Sequence, residues 1–369
     1  MRIAVFDVPA SETGALSILK GFFSHVGAHE KEHEWYFVVS TDALKSAGPH
    51  VHVIVEKYPK KSWGRRILWE LFMAPRLIRK LNPDVVVSLQ NTAILFTKKP
   101  QVVYVHQSLP FLRERKWSLL KNGERVLWLY TELFYYLIKK AANRAHTVVV
   151  QTMWMKRALA DAYGISHNKV VALMPPISLP ATDGAERLKG RRQSQEFFYP
   201  TTSFVYKNID VLLQALKILK SKGIAPRVSV TIRGDENGYA RRMKQHAERE
   251  GLKMEFLGPL PRSEVMLCYR DSILIFPSLV ETIGLPLLEA RALGGDIIAS
   301  DRPFSHEVLD GYPRVRFFDP CSPDELATHM ESIMAREGAF PAESAISVPA
   351  LCGDNSWATF VDHIESVIS

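Results

Sequence analysis

Glu281 and Glu289 stand eight residues apart around the run Ile283-Gly284-Leu285-Pro286. The apolar stretch before them, Ile273–Phe276, reads as a short strand. A loop carrying Gly284 follows, and Pro286 fits the first helical position, where a missing N–H costs nothing. The amides of Ile283, Gly284 and Leu285 are then expected at a helix N-terminus. Such an end carries about half a positive charge and takes phosphate readily. Glu289 is expected in the first turn of that helix, and Glu281 just ahead of it. Ionised carboxylates accept hydrogen bonds strongly, which suits sugar hydroxyls. One acid near a helix start needs only the helix dipole as its reason. Two acids around Gly-Leu-Pro, directly after a strand, ask for a ligand with both a phosphate and hydroxyls. Lys207, in Tyr206-Lys207-Asn208-Ile209, precedes a helical pattern and is a point charge suited to a diphosphate.

These residues need a scaffold. Short β-branched runs (Arg2–Phe6, Trp35–Val39, Val51–Val55, Val85–Leu89, Val102–Val105, Thr147–Val150) alternate with helical patterns at 15–26, 67–81 and 125–143. This is the rhythm of a parallel, doubly wound sheet. Met174-Pro175-Pro176-Ile177 closes the series, and 180–195 is polar with no clear period, a candidate linker. The rhythm restarts at Phe197–Pro200 and runs on to Val315–Phe317. The 369 residues are long for one core. The expected domains are 1–178, 179–355, and a terminal helix 356–369 whose Trp357 and Phe360 share one side and can pack back on the first domain. Ligands of such sheets sit beyond the carboxyl ends of the strands.

Three cysteines, Cys268, Cys321 and Cys352, are too few and too scattered for a disulfide framework or a zinc site. No segment is long and apolar enough to span a bilayer, so a cytoplasmic location is expected. Residues 1–180 hold 25 basic against 13 acidic residues, a net +12; residues 181–369 hold 22 against 26, a net −4. An anionic partner is therefore expected for the first half.

The pattern Pro277-Ser278-x-x-Glu281-x-x-Gly284-Leu285-Pro286-x-x-Glu289-Ala290 resembles the signature of retaining GT-B glycosyltransferases of family 4. The resemblance implies an α/β GT-B fold, two Rossmann-like doubly wound domains with an interdomain cleft. The first domain would bind the acceptor and the second a nucleotide sugar. It implies a hexosyltransferase that needs no cofactor and moves sugar from a nucleotide diphosphate donor with retention. By the same resemblance Glu281 contacts the transferred sugar, Glu289 holds the ribose and Lys207 meets the diphosphate. The family's arginine five residues before that lysine is Thr202 here. Val102-Val103-Tyr104-Val105-His106-Gln107 resembles the family's strand ending in His-Asp, with Gln107 in place of the acid, which makes His106 the residue facing the donor sugar. Gly14, in Ser11-Glu12-Thr13-Gly14, matches the second of the family's paired glycines. Gly234, Leu257 and Leu260 fall in segments resembling those that line the nucleotide. No Asp-x-Asp motif is present, so no metal is expected.

Two basic, aromatic stretches mark the first half. One runs from Tyr58 to Lys80 with Trp63, Trp69 and Phe72; the other runs from Arg113 to Lys140 with Trp117, Trp128, Tyr130, Phe134, Tyr135 and Tyr136. Such stretches suit anionic lipid headgroups. The segment 101–156 resembles transferases of surface-polysaccharide assembly. Together these imply a peripheral enzyme on the inner membrane face with a lipid-linked oligosaccharide acceptor. Two readings compete: another GT-B enzyme, such as a sugar-nucleotide epimerase or a phosphorylase, and a non-catalytic nucleotide-binding scaffold. No nucleic-acid motif is found.

Overall fold

The computed structural model describes residues 1–10, 13–45, 47–113, 115–121, 124–177, 196–335 and 356–368. Ser11, Glu12, Glu114, Cys352, the 180–195 stretch and the boundaries expected at 178 and 355 lie outside the described residues, as do the side chains of Thr13 and Trp63.

Seven parallel strands build the first sheet: β1 (Arg2–Asp7), β2 (Glu34–Val39), β3 (Val51–Val55), β4 (Val85–Ser88), β5 (Gln101–Val105), β6 (Thr147–Val150) and β7 (Val170–Ala172). Their order is β3-β2-β1-β4-β5-β6-β7. Six parallel strands build the second: β8 (Glu196–Tyr199), β9 (Arg227–Val230), β10 (Met254–Phe256), β11 (Ile273–Phe276), β12 (Ile297–Ser300) and β13 (Val315–Phe318), in the order β10-β9-β8-β11-β12-β13. The order reverses between β1 and β4 in one sheet and between β8 and β11 in the other. At such switch points the connecting loops part and leave a crevice at the carboxyl edge. Helices cover both faces, so central strands such as Val85–Ser88 are buried at every residue and read as continuous apolar runs.

The first compact unit holds Met1–Phe111, Tyr130–Ile177 and Cys352–Ser369. One face of its sheet packs Ile3, Val5 and Val87 against Phe22, Trp35 and Phe37, and the helix Ser356–Glu365 completes this cluster with Trp357, Phe360, Val361 and Ile364. Phe360 lies 5.0 Å from Phe22 between ring centroids and is fully buried. The opposite face packs Ala4, Phe6 and Val86 against Trp69, Ala74 and Ile78.

The second unit holds Leu112–Leu129 and Ser178–Leu351, so residues 112–129 group with the second sheet and not with the rest of 1–178. Leu112 and Arg115 line a cavity of about 360 Å³ together with Asn208, Leu279 and Pro320 of that unit.

The two basic helical stretches are not uninterrupted α-helices. Each contains one π turn, Trp69–Met73 and Leu129–Leu133. A π turn takes up an extra residue without breaking the helix. In the first stretch it leaves Trp69 in the core while Leu68 and Phe72, on either side, stay about half exposed. The aromatic residues of these stretches therefore divide. Trp69, Trp117 and Phe134 are core residues, buried where apolar surface is removed from water, and cannot meet a headgroup. Phe72 and Tyr136 are exposed. Among the described residues no helix is long and apolar enough to cross a membrane.

Candidate functional site

Loops at both sides of the β8/β11 switch point carry Lys207 and Glu281. The Lys207 Nζ donates to Glu281 Oε1 at 2.6 Å, and each side chain is only 15% exposed. Three anchors hold the pair in place. Tyr199, the last residue of β8, donates its hydroxyl to the Lys207 carbonyl at 2.8 Å and shares a 3.0 Å hydrogen bond with the Ser278 hydroxyl. Asn208 takes the left-handed conformation, φ 59°, which asparagine tolerates better than most side chains. From there its buried amide donates to the carbonyls of Pro277 and Pro320 at 3.2 and 2.8 Å. The amide of Leu279 donates to the Tyr206 carbonyl at 2.9 Å. Together these contacts lock the lysine loop to the glutamate loop.

Beside the pair a helix begins. Gly284 is its N-cap at φ 81°, and the helix spans Leu285–Ala292. A Cβ on Gly284 would come within 3.3 Å of Leu287 Cδ1 in a backbone region L-residues rarely enter, so glycine is required here. Because the cap is Gly284, Leu285 opens the helix and Pro286 is its second residue, not its first. Glu289 consequently belongs to the second turn, and the first turn carries no acid. The amides of Ile283, Gly284 and Leu285 still stand at the positive end of this helix.

Glu289 has partners of its own. Arg262 Nη2 donates to its Oε1 and the Tyr269 hydroxyl to its Oε2, both at 3.1 Å. Burial pushes its carboxyl above the usual range, and Arg262 and Tyr269 pull it back.

The other predicted residues of this unit lie along the same sheet. Thr202 is exposed just beyond β8. Gly234 follows β9, and its amide, with that of Arg233, donates to the Glu236 carboxylate at 3.0 and 2.6 Å. Against burial, which raises it, these amides hold the Glu236 carboxyl below its usual range. Leu257 follows β10, is exposed, and donates its amide to the Val230 carbonyl; Leu260 is half-buried.

His106 and Gly14 belong to the first unit. His106 directly follows β5. Its amide donates to Asn91 Oδ1 at 2.8 Å, which fixes the asparagine so that Nδ2 faces His106 Nε2 at 3.3 Å. Nε2 is then the acceptor and the ring proton resides on Nδ1. Burial pushes the imidazole down to about 4, so it is neutral at pH 7. Gly14 is exposed near the start of the helix Thr13–His29, with open space around its Cα.

Tyr199, Asn208, Arg262 and Tyr269 are the site residues that sequence reasoning missed. Only Asn208 left a local signal, an asparagine directly before a helical pattern. The rest act through contacts 8 to 79 residues away in sequence.

The comparisons with known proteins agree with this architecture. The family model described as Glycosyl transferases group 1 matches residues 189–345, and the one described as Glycosyltransferase Family 4 matches residues 25–179. The O-antigen chain mannosyltransferase RfbU of Salmonella typhimurium is 23% identical over 287 residues, covering 76% of this chain and 73% of that protein. The solved lipopolysaccharide outer core galactosyltransferase WaaB shares the fold at a TM-score of 0.68, with 14% identity and 99% of each chain covered. Anabaena Alr3699/HepE in complex with UDP-glucose shares it at 0.67, with 15% identity, 98% of this chain and 100% of that chain. Matched in both halves and built on two parallel Rossmann-like sheets, the chain belongs to the GT-B glycosyltransferases of family 4, the glycosyl transferases group 1.

Proposed function

We propose that the chain transfers a hexose, with retention and without a divalent ion, from a nucleoside diphosphate sugar to a lipid-linked oligosaccharide of surface-polysaccharide assembly. The observation that carries this reading is the Lys207–Glu281 pair at the switch point of the second sheet, beside the amide end of Leu285–Ala292. A departing nucleoside diphosphate gains negative charge as the glycosidic bond breaks. Lys207 and the amides at 283–285 are fixed donors aimed at that charge, and such preorganised donors usually contribute most to an enzyme's rate. The Glu281 carboxylate stabilises the positive character of the reacting sugar. Where the family's arginine would stand there is Thr202, so charge neutralisation leans on Lys207 and the helix end. His106, the residue proposed to face the donor sugar, is a neutral ring and adds no charge there. The UDP-glucose held by HepE supports the donor class, and the O-antigen activity in the name of RfbU supports the pathway.

The test is a thermal-shift screen over nucleoside diphosphate sugars, followed by nucleotide release with and without acceptor. A ligand at about 100 times its Kd is expected to stabilise the protein by about 2.7 kcal/mol. Release that requires an acceptor separates a transferase from an epimerase; stabilisation by a nucleotide sugar with no release under any condition marks a scaffold, and no response to any nucleotide sugar rejects the donor reading.

An anionic bilayer is the proposed partner of the first unit. Ile67, Leu68, Phe72 and Met73 are 41–55% exposed on one helical segment. Exposed Lys60, Lys61, Arg65, Arg76, Arg79 and Lys80 surround them. Each basic residue near an anionic surface adds about 1 kcal/mol. The protein is expected to float with vesicles containing phosphatidylglycerol and to sink with neutral ones. The triple change Ile67→Ser, Leu68→Ser, Phe72→Ser is expected to cut the floated fraction several-fold. Equal flotation of the triple variant rejects this face.

A further inference from the structure

We infer that Tyr269 and Arg262 are positioning residues that set the Glu289 carboxylate to receive the two hydroxyls of a ribose. The inference rests on the donor reading given above and goes beyond it in naming the groups that aim the carboxylate. Both residues lie on the helix Arg262–Asp271, seven positions apart, which is two turns and therefore one face. Both reach the same carboxylate, and they divide it. Arg262 donates to Oε1 and Tyr269 to Oε2, each at 3.1 Å. A carboxylate oxygen accepts two hydrogen bonds. One protein donor on each oxygen fixes the plane of the group and leaves each oxygen able to take one more. Two acceptor positions on neighbouring oxygens match a vicinal cis-diol.

The two donors differ in setting. Tyr269 is 1% exposed, packed edge-on against Phe198 at 5.8 Å, so its hydroxyl cannot swing away. Arg262 has a side chain 58% exposed and reaches Glu289 from the rim. Arg262 and Tyr269 are the charged and titratable groups that act on Glu289, and Cys268 acts in turn on Tyr269. Both partners favour the ionised carboxylate, against the burial that disfavours it.

The experiment measures Kd for UDP, GDP and ADP and for their 2′-deoxy forms, on wild type, Tyr269→Phe, Arg262→Ala and Arg262→Lys. Wild type is expected to prefer the ribo form of the diphosphate it binds by roughly 10- to 100-fold, the range of a charged hydrogen bond. Tyr269→Phe keeps the ring and is expected to narrow that preference several-fold. It raises KM for the donor sugar with little change in kcat. Its low-pH limb of kcat/KM moves to higher pH, since a bond to the charged carboxylate is gone. Arg262→Ala acts in the same direction, and Arg262→Lys restores part of the preference. An unchanged ribo-to-deoxy ratio in both Tyr269→Phe and Arg262→Ala overturns the positioning role. Equal wild-type affinity for ribo and deoxy forms overturns it too, while leaving the donor reading intact. Binding of none of the diphosphates overturns both.

Discussion

Glu281→Gln is expected to lower kcat for sugar transfer by at least about 100-fold, the scale of losing one fixed electrostatic group at a reacting centre. The amide has the shape of the carboxylate, so Tyr199, Asn208 and the Leu279 amide keep both loops in place. What disappears is the negative charge proposed to stand beside the reacting sugar. The change also releases Lys207 from its 2.6 Å ion pair. A lysine without that competitor meets a diphosphate at least as well as before. KM for the donor is therefore expected to hold or fall while kcat drops, the pattern of a group that acts mainly in the transition state. Steady-state kinetics with the donor found by thermal shift, alongside a melting curve of the variant, checks both halves. Turnover at the wild-type rate would remove Glu281 from the chemistry.

Phe360→Ala is expected to destabilise the first unit by about 3–5 kcal/mol, as for other fully buried phenylalanines. Its ring meets Phe22 at 5.0 Å and Tyr104 at 5.6 Å, so truncation opens a cavity in the middle of the cluster. Hydrogen exchange resolved along the chain checks this. Amides of β1, β2 and β5 should exchange faster, while those of β8 and β11 stay as slow as in wild type. Uniform acceleration through both units, or none, contradicts the assignment of the terminal helix to the first unit.

Much of this was legible in the residues. Parallel strands covered on both faces are continuous apolar runs, so Val85–Ser88 and Ile273–Phe276 announce themselves without tertiary information. The Gly-Leu-Pro helix start was equally plain, because φ 81° excludes nearly every residue but glycine. The place of Glu289 within that helix was not. It depends on Gly284 being the cap, which shifts Pro286 to the second position and moves the acid one turn on. The π turns at Trp69–Met73 and Leu129–Leu133 were invisible for a related reason. An extra residue in one turn alters hydrogen bonding and leaves composition untouched. The membrane-facing reading mixed core with surface for the same cause, since Trp69 and Phe72 look alike as letters and differ by half their area in exposure. Arg262 and Tyr269 carry no pattern of their own, and only the packing of one helix against another reveals what they hold.

The helix that fills the first unit's core leaves the ribosome only after the whole second sheet. Strands β1 to β7 emerge before that sheet, with the apolar face around Phe22 and Trp35 uncovered, and they wait through its synthesis. The second sheet, β8 to β13, is continuous in sequence and has no such delay. Birth order and completion order are therefore opposed. Nascent chains stalled before Trp357 present a sticky surface of the sort that recruits chaperones.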